Sequence, residues 1–394
     1  MKNVSLTDVC DFQGGTQPPK SFWRKSNASG YVRMLQIRDF TQPEKDNIEY
    51  VKDTKNTKKC NDDDILIGRY GASIGKICTG LAGAYNVALI KTIPNKSLLN
   101  KRFLFYILKS LNFQIFILSI GSRAAQAGFN KEDLSNFQIP LPSLEEQKRI
   151  AAILDAAYLH RQKTKELIAK YDELSQALFL DMFGDPVNNP KGWEVKSLKS
   201  LSTKIHSGNT PKGGSNVYVE SGITFFRSQN VWKNNLIYED IAYIDQETHN
   251  KMTKSSLKYG DLLMTKTGRF NTENSSLGRA AIYLGHDDMA NVNGHVYLIR
   301  LKKGQVNKFI LHILTSIQFR DLIRRVCVGG IDKRQLNKNH IEDFPIVTPP
   351  KMLQEKFITL LELIENQKSQ AIQGHQKAEE LFQSLLQKAF KGEL

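Results

Sequence analysis

The chain repeats itself, and this constrains its fold more than any other feature. Asn130 is matched 207 positions later by Asn337, Phe137 by Phe344, Ile139 by Ile346, Pro142 by Pro349 and Gln147 by Gln354. The series continues through Leu174 and Leu381 to Phe183 and Phe390. Upstream, with small shifts where loops differ, DILIGRYG answers DLLMTKTG, FLFYILKS answers FILHILTS, and GTQPP answers GNTP. An ordered set spanning most of each half marks an internal duplication. At 394 residues, each copy is long enough for a core of its own.

The parts follow in the order globular domain, long helix, globular domain, long helix: residues 1–142, 143–187, 188–349 and 350–394. LPSLEEQKRIAAILDAA and its counterpart TPPKMLQEKFITLLELI each start at a proline stop and become a charged amphipathic run. GDPVNNPKGW, with Pro186, Pro190 and Gly192, opposes helix and reads as a linker. Steps alternating between three and four give Ile150, Ile153, Ala157, His160, Thr164, Leu167, Tyr171, Leu174 and Leu178 in the first helix. In the second they give Phe357, Leu360, Ile364, Gln367, Ala371, Gly374, Ala378, Leu381 and Leu385.

That spacing predicts a coiled-coil seam over four heptads in each helix, apolar at both ends and polar or small between. Connectivity makes the pair antiparallel if the seams face each other. About 38 residues at 1.5 Å each give a rod of roughly 55 Å, with a domain expected at either end about an approximate two-fold axis. His160, inside the seam, is expected to be a structural core histidine and not a catalytic one. Gly374 is expected to weaken the second helix by up to ~1 kcal/mol, which bears on the straightness of the rod.

The charge is divided as the repeat is. The chain carries a formal +15. Residues 1–142 hold +8, 143–187 hold −2, 188–349 hold +9 and 350–394 hold zero. Two basic domains separated by a neutral spacer suit two contacts on one polyanion, as with two half-sites on a duplex.

The signals of several other functions are absent or incomplete. Cys10, Cys60, Cys78 and Cys327 are too scattered for a disulfide framework or a cysteine zinc site, so reduced thiols in a cytoplasmic compartment are expected. The opening MKNVSLTDVCDFQGG lacks the apolar core of a signal peptide. The apolar stretch FLFYILKSLNFQIFILSI is interrupted by Lys109, Asn112 and Gln114, so no membrane span is expected. GASIGKI lacks the spacing of a phosphate-cradling loop. TPP and NNP are not the NPP[FY] tetrapeptide of adenine methyltransferases. His286, Asp287 and Asp288 read as a polar turn, and no metal site is expected.

IPLPSLEEQKRIAAILD before a long helix, a second copy ending LLQKAFKGEL, and GWEVKSL, TFFRSQNVW and GDLLMTKTG in the second domain are together specific. With these features nearly the whole chain resembles the specificity subunit of type I restriction-modification systems. The first helix departs from the pattern, ending DMFGDP where AFKGEL is usual. The resemblance implies an α/β (α+β) fold: two similar mixed α/β target recognition domains separated by the antiparallel two-helix coiled coil, related by a pseudo-two-fold duplication. It implies that each domain reads half of a bipartite site on double-stranded DNA. It implies that the helices set the spacing and dock two methyltransferase subunits, with motor-nuclease subunits added for restriction. The chain itself is expected to be non-catalytic and to carry no cofactor. S-adenosylmethionine, ATP and magnesium are expected in partner subunits.

Arg and Lys can hydrogen-bond guanine O6/N7, and Gln or Asn can pair with adenine N6/N7. Beside glycines or in turns, the first domain offers Arg33, Gln36 and Arg38, then Arg69 and Tyr70, then Arg123 and Gln126. The second offers Arg227, Gln229 and Asn230, then Lys266, Thr267 and Arg269, then Lys333, Arg334 and Gln335. Each residue has an alternative as solvated surface charge. Two other functions remain open at this point. A fused methyltransferase or nuclease would bind adenosylmethionine by itself. A stand-alone scaffold or regulator would capture no methyltransferase subunit.

Overall fold

Both long helices form where the heptad pattern places them. In the computed structural model, which describes residues 2–43, 47–121, 128–269, 274–330 and 332–394, they run Leu144–Phe183 and Lys351–Lys391. The first begins after Pro142, with the Ser143 hydroxyl accepting from the Glu146 amide at 3.3 Å. It ends at Gly184, whose φ of 77° lies in the left-handed region that favours glycine. The second continues through Gly374, where an added Cβ would meet nothing within 4 Å.

The seam is half as expected. Ile150, Ala157, Thr164, Tyr171 and Leu178 face inward, as do Phe357, Ile364, Ala371, Ala378 and Leu385. The alternate positions shift by one residue. Leu154, Arg161, Ile168, Ser175 and Met182 occupy them in the first helix, and Leu361, Lys368, His375, Phe382 and Ala389 in the second. Ile153, Leu360 and Gly374 are flanking and half-buried. His160, Leu167, Leu174, Gln367 and Leu381 are exposed, so His160 is not a core histidine. The expected seam opened with a step of three, whereas the observed one opens with a step of four and its layers accept long polar side chains whose ends find partners. Arg161 shows how. Its guanidinium lies 4.7 Å from the Phe382 ring centre and pairs with Glu379 at 3.2 Å.

The chain forms two compact units, Met1–Glu166 with Ala371–Leu394, and Leu167–Gln370. Each joins one globular domain to half of both long helices. In the first unit Tyr158 meets Phe382, Arg161 meets Glu379 and Thr164 meets His375, so the helices run antiparallel there. In the second, Asp172 meets Lys368 and Phe179 meets Phe357, again antiparallel. These helix faces complete the cores. Phe103, Tyr106, Ile150, Leu154, Phe382 and Leu386 share one cluster, and Phe179, Phe183, Phe309, Phe357 and Leu361 share the other.

The globular parts repeat strand by strand. In the first unit a four-stranded antiparallel sheet has the order Cys10–Gly14, Leu89–Pro94, Leu66–Gly68, Ile77–Cys78. The second unit orders Ser202–Ser207, Val296–Leu301, Leu262–Thr265 and Ala280–Ile282 in the same way. A second sheet in each contains one parallel pair, Tyr31–Leu35 with Gly83–Tyr85 and Ile223–Phe226 with Ala290–Val292. Gly15 and Gly208 sit at matching crossings. A Cβ would lie 2.1 Å from the Asn86 carbonyl oxygen at one and 2.2 Å from that of Val292 at the other, so only glycine lets the backbones approach. The apolar stretch near residue 110 forms two helices, Lys101–Lys109 and Leu111–Gly121. Among the described residues no single helix is long and apolar enough to cross a membrane.

Candidate nucleic-acid interface

Strand Tyr31–Leu35 pairs with Glu49–Lys52 and carries the first group of candidate readers into a short turn. Asp39 ties that turn by accepting the Gln36 amide at 2.8 Å and the Arg33 guanidinium at 3.1 Å. Glu49 accepts the Gln36 side-chain amide at 2.8 Å and also pairs with Arg38. The three candidates are thus grouped, but around the carboxylates of Asp39 and Glu49, residue types outside the basic and amide set. A hollow of about 460 Å³ opens beside them, lined in part by Lys25, Asn27, Arg38, Glu49 and Tyr50. Arg69 donates to the Phe129 carbonyl at 2.8 Å and stacks over Tyr70, its guanidinium carbon 5.1 Å from the ring centre. Tyr70 stays exposed at 40%. Arg123 and Gln126 lie outside the described residues.

The second unit builds the same turn after Ile223–Phe226. Asn230 accepts the Arg227 amide at 3.0 Å and donates to the Ile237 carbonyl at 3.1 Å. Asn230 is fully buried, so it forms the turn and has no face for a ligand. Its place three residues after Arg227, like Asp39 after Gln36, is the helix-start spacing that would have marked both as turn formers. Asp240 pairs with Arg227 at 3.1 Å and accepts from Gln229 at 3.0 Å. The Gln229 hydrogen bond and the Arg227 charge hold the Asp240 carboxyl below the usual carboxylate range.

The other two groups of the second domain are brought together. Thr267–Gly268 and Val328–Gly329 flank Arg334–Gln335 in a small antiparallel sheet. Lys266 reaches over the Tyr297 ring at 5.7 Å, Gln335 donates to Asn337 at 2.9 Å, and Arg334 donates to the Cys327 carbonyl at 3.5 Å. Arg269 and Lys333 are exposed.

Beside this sheet stands a basic helix that the sequence reading missed, Ile317–Val326 with Arg320, Arg324 and Arg325. Arg269, Ser275, Arg320 and Arg324 line a small hollow. Burial and then the neighbouring Arg324 push Arg320 below the ordinary arginine range, and burial and then Arg320 do the same to Arg279. Arg279 lies 3.6 Å from the Trp232 ring centre. The helix thus gathers positive charge, although Asp321 pairs with Arg324 at 3.0 Å. Its sequence signal was the RDLIRR run on a helix.

Asp287 accepts the Tyr259 amide at 2.8 Å and Asp288 the Ser256 hydroxyl at 2.7 Å, so both carboxylates tie loops.

The type I restriction modification DNA specificity domain matches two segments of this chain, residues 1–170 and 190–380. The chain belongs to this family. It is a type I specificity subunit with two specificity domains, which accounts for the duplication. The MjaVIII specificity subunit of a type I restriction enzyme from Methanocaldococcus jannaschii is 24% identical over 294 residues, covering 71% of this chain and 67% of that protein. Among solved structures, the S subunit of a type I system from M. genitalium aligns with a TM-score of 0.56 at 14% identity, over 99% of this chain and 96% of that one. A chain from a structural study of type I R-M complex assembly and conformational transition aligns with a TM-score of 0.59 at 18% identity, over 100% of this chain and 98% of that one. At these identities the structural likeness concerns the fold.

Proposed function

We propose that this specificity subunit reads a bipartite site on double-stranded DNA, one half with each globular domain. The observation that carries the reading is the repetition of one grouping in two basic domains. In each, an arginine and a glutamine on equivalent turns meet a single carboxylate. Phosphate contacts by lysines and arginines would supply affinity and register, and base-edge contacts the sequence preference. The long helices would set the spacing of the halves and dock two methyltransferase subunits. Chemistry would take place in those partners, with adenosylmethionine there and with ATP and magnesium in motor-nuclease subunits. A methylated base must leave the duplex stack to reach a catalytic pocket, so the partner would flip its target while this chain holds the flanks.

Methylome sequencing of a strain with and without the gene tests this reading. The expected result is a bipartite methylated motif lost with the gene. An unchanged methylome would overturn it. Capture of a methyltransferase subunit by the purified chain separates it from a stand-alone regulator.

A further inference from the structure

The two reading groups are equivalent in backbone and reversed in sequence. Capping of the turn by Asp39 in one unit and Asn230 in the other aligns Gln36 with Arg227 and Arg38 with Gln229. The first domain therefore presents glutamine then arginine, and the second arginine then glutamine. Despite the exchange, each pair closes on one carboxylate at the neighbouring strand. Glu49 opens Glu49–Lys52, and Asp240 stands just before Ala242–Ile244. Both strands pair antiparallel with the strand that leads into the turn. Asp240 holds a φ of 52°, a conformation most side chains avoid, while reaching both donors.

A shared acceptor has a physical consequence. Free arginine and glutamine side chains lose rotamer entropy when they bind, and a carboxylate that fixes them beforehand removes part of that cost. It does not exhaust them. Arginine has five N–H donors, and glutamine keeps its carbonyl and its second amide hydrogen. The Arg38 side chain remains 41% exposed and that of Arg227 22%. Arginine matches guanine O6/N7 and glutamine matches adenine N6/N7.

We propose that Glu49 and Asp240 are positioning residues for sequence reading. Each orients an Arg/Gln pair toward one guanine and one adenine edge, and the reversed order makes the two domains read these purines in opposite orders along their half-sites. This rests on the proposed bipartite DNA recognition.

The test is site selection from a random duplex library by the complete complex with its methyltransferase subunits. Glu49→Gln should relax discrimination at one or two base pairs of one half-site by roughly tenfold. Asp240→Asn should do the same in the other half only. The double variant Q36R/R38Q should reverse the purine order within one half-site, an outcome that loss of structure could not give. Urea unfolding of each variant reports folding. If the unaltered complex selects no bipartite site, bipartite recognition itself fails. If it selects one that E49Q, D240N and Q36R/R38Q all leave unchanged, the positioning role alone is overturned.

Discussion

The side-chain amide of Gln147 donates to the Pro142 carbonyl at 2.9 Å, tying the first turn of the first long helix to the segment that leads into it. Gln354 makes the same bond to Pro349 at 2.8 Å. The duplication thus reaches down to single hydrogen bonds at the joints between domain and helix. The copies differ in depth. Gln147 is fully buried, also donates to Leu98 at 2.9 Å and accepts the Asn100 amide at 2.8 Å. Gln354 is half-buried. Gln147→Ala should therefore orphan three backbone groups and cost about 2–4 kcal/mol, against about 1 kcal/mol for Gln354→Ala. Urea midpoints of the two variants check the asymmetry, and equal losses would refute it.

The position of the seam can be tested by truncation. Leu154 is fully buried, whereas Leu174 is 49% exposed. Leu154→Ala should cost about 2–5 kcal/mol, and Leu174→Ala should stay within about 0.5 kcal/mol. Leucine and alanine both favour helix, so propensity will not mask the difference. The reverse ranking in thermal unfolding would restore the register expected from sequence.

Burial lowers the pKa of His206, His249 and His312 in the second unit, and acid should weaken that unit most strongly through His312. His312 lies between the Phe179 and Phe357 rings, 4.8 and 5.0 Å away, and burial pushes its pKa down to about 4. The unfolded chain, with an ordinary histidine pKa near 6.5, binds the proton more readily. Stability should be complete above about pH 6.5, fall by about 3 kcal/mol as the pH drops to about 4, and then level off for this group. His312→Phe removes the proton site. The equivalent position in the first unit is Tyr106, and hollows beside His312 leave room for the larger ring. Urea unfolding followed by tryptophan fluorescence between pH 7 and 4 should show a shallower decline for the variant.

Salt dependence tests the basic clusters. Each phosphate neutralised contributes a slope of about −0.9 in the logarithm of affinity against that of salt. Two basic domains should give a steep dependence for the full chain on a cognate duplex. Arg320→Ala with Arg324→Ala should flatten it by up to about 1.8 if both meet phosphates, with the preferred sequence unchanged. A slope equal to that of the parent chain would exclude the arginine-lined hollow from the interface.

What could be read from sequence follows from how far each signal reaches along the chain. The repeat, the helix limits and the charge partition are sums over many residues, and the structure carries the repeat even into paired strands. The alternate seam layers were misplaced because one-residue shifts turn on partners far away in sequence, such as Arg161 with Glu379 and Asp172 with Lys368. The same limit hid Glu49 and Asp240. Neither is basic or an amide, and their roles arise only when a strand returns beside the turn. Asn230 was misread for the opposite reason, since its chemistry suits a reader but its burial leaves it only the turn.

The helices offer the most direct link between fold and specificity if they act as the ruler between half-sites. The division between the two compact units falls inside the long helices, between Glu166 and Leu167 and between Gln370 and Ala371. One heptad inserted at each of these points leaves every helix pairing within either unit intact. It adds about 10.5 Å, because each residue rises 1.5 Å. DNA rises about 3.4 Å per base pair, so the unread spacer should lengthen by about three base pairs. Both helices must be extended together, since one insertion alone leaves seven residues without a partner. A full heptad nearly restores the facing direction of the seam. Three base pairs turn the duplex by under a third of its ~10.5-pair repeat, so a longer but more weakly bound motif is expected. Site selection by the extended chain with its methyltransferase subunits measures the spacer directly. An unchanged spacer in a folded, active variant would show that the distance between half-sites is set elsewhere than in the helix pair.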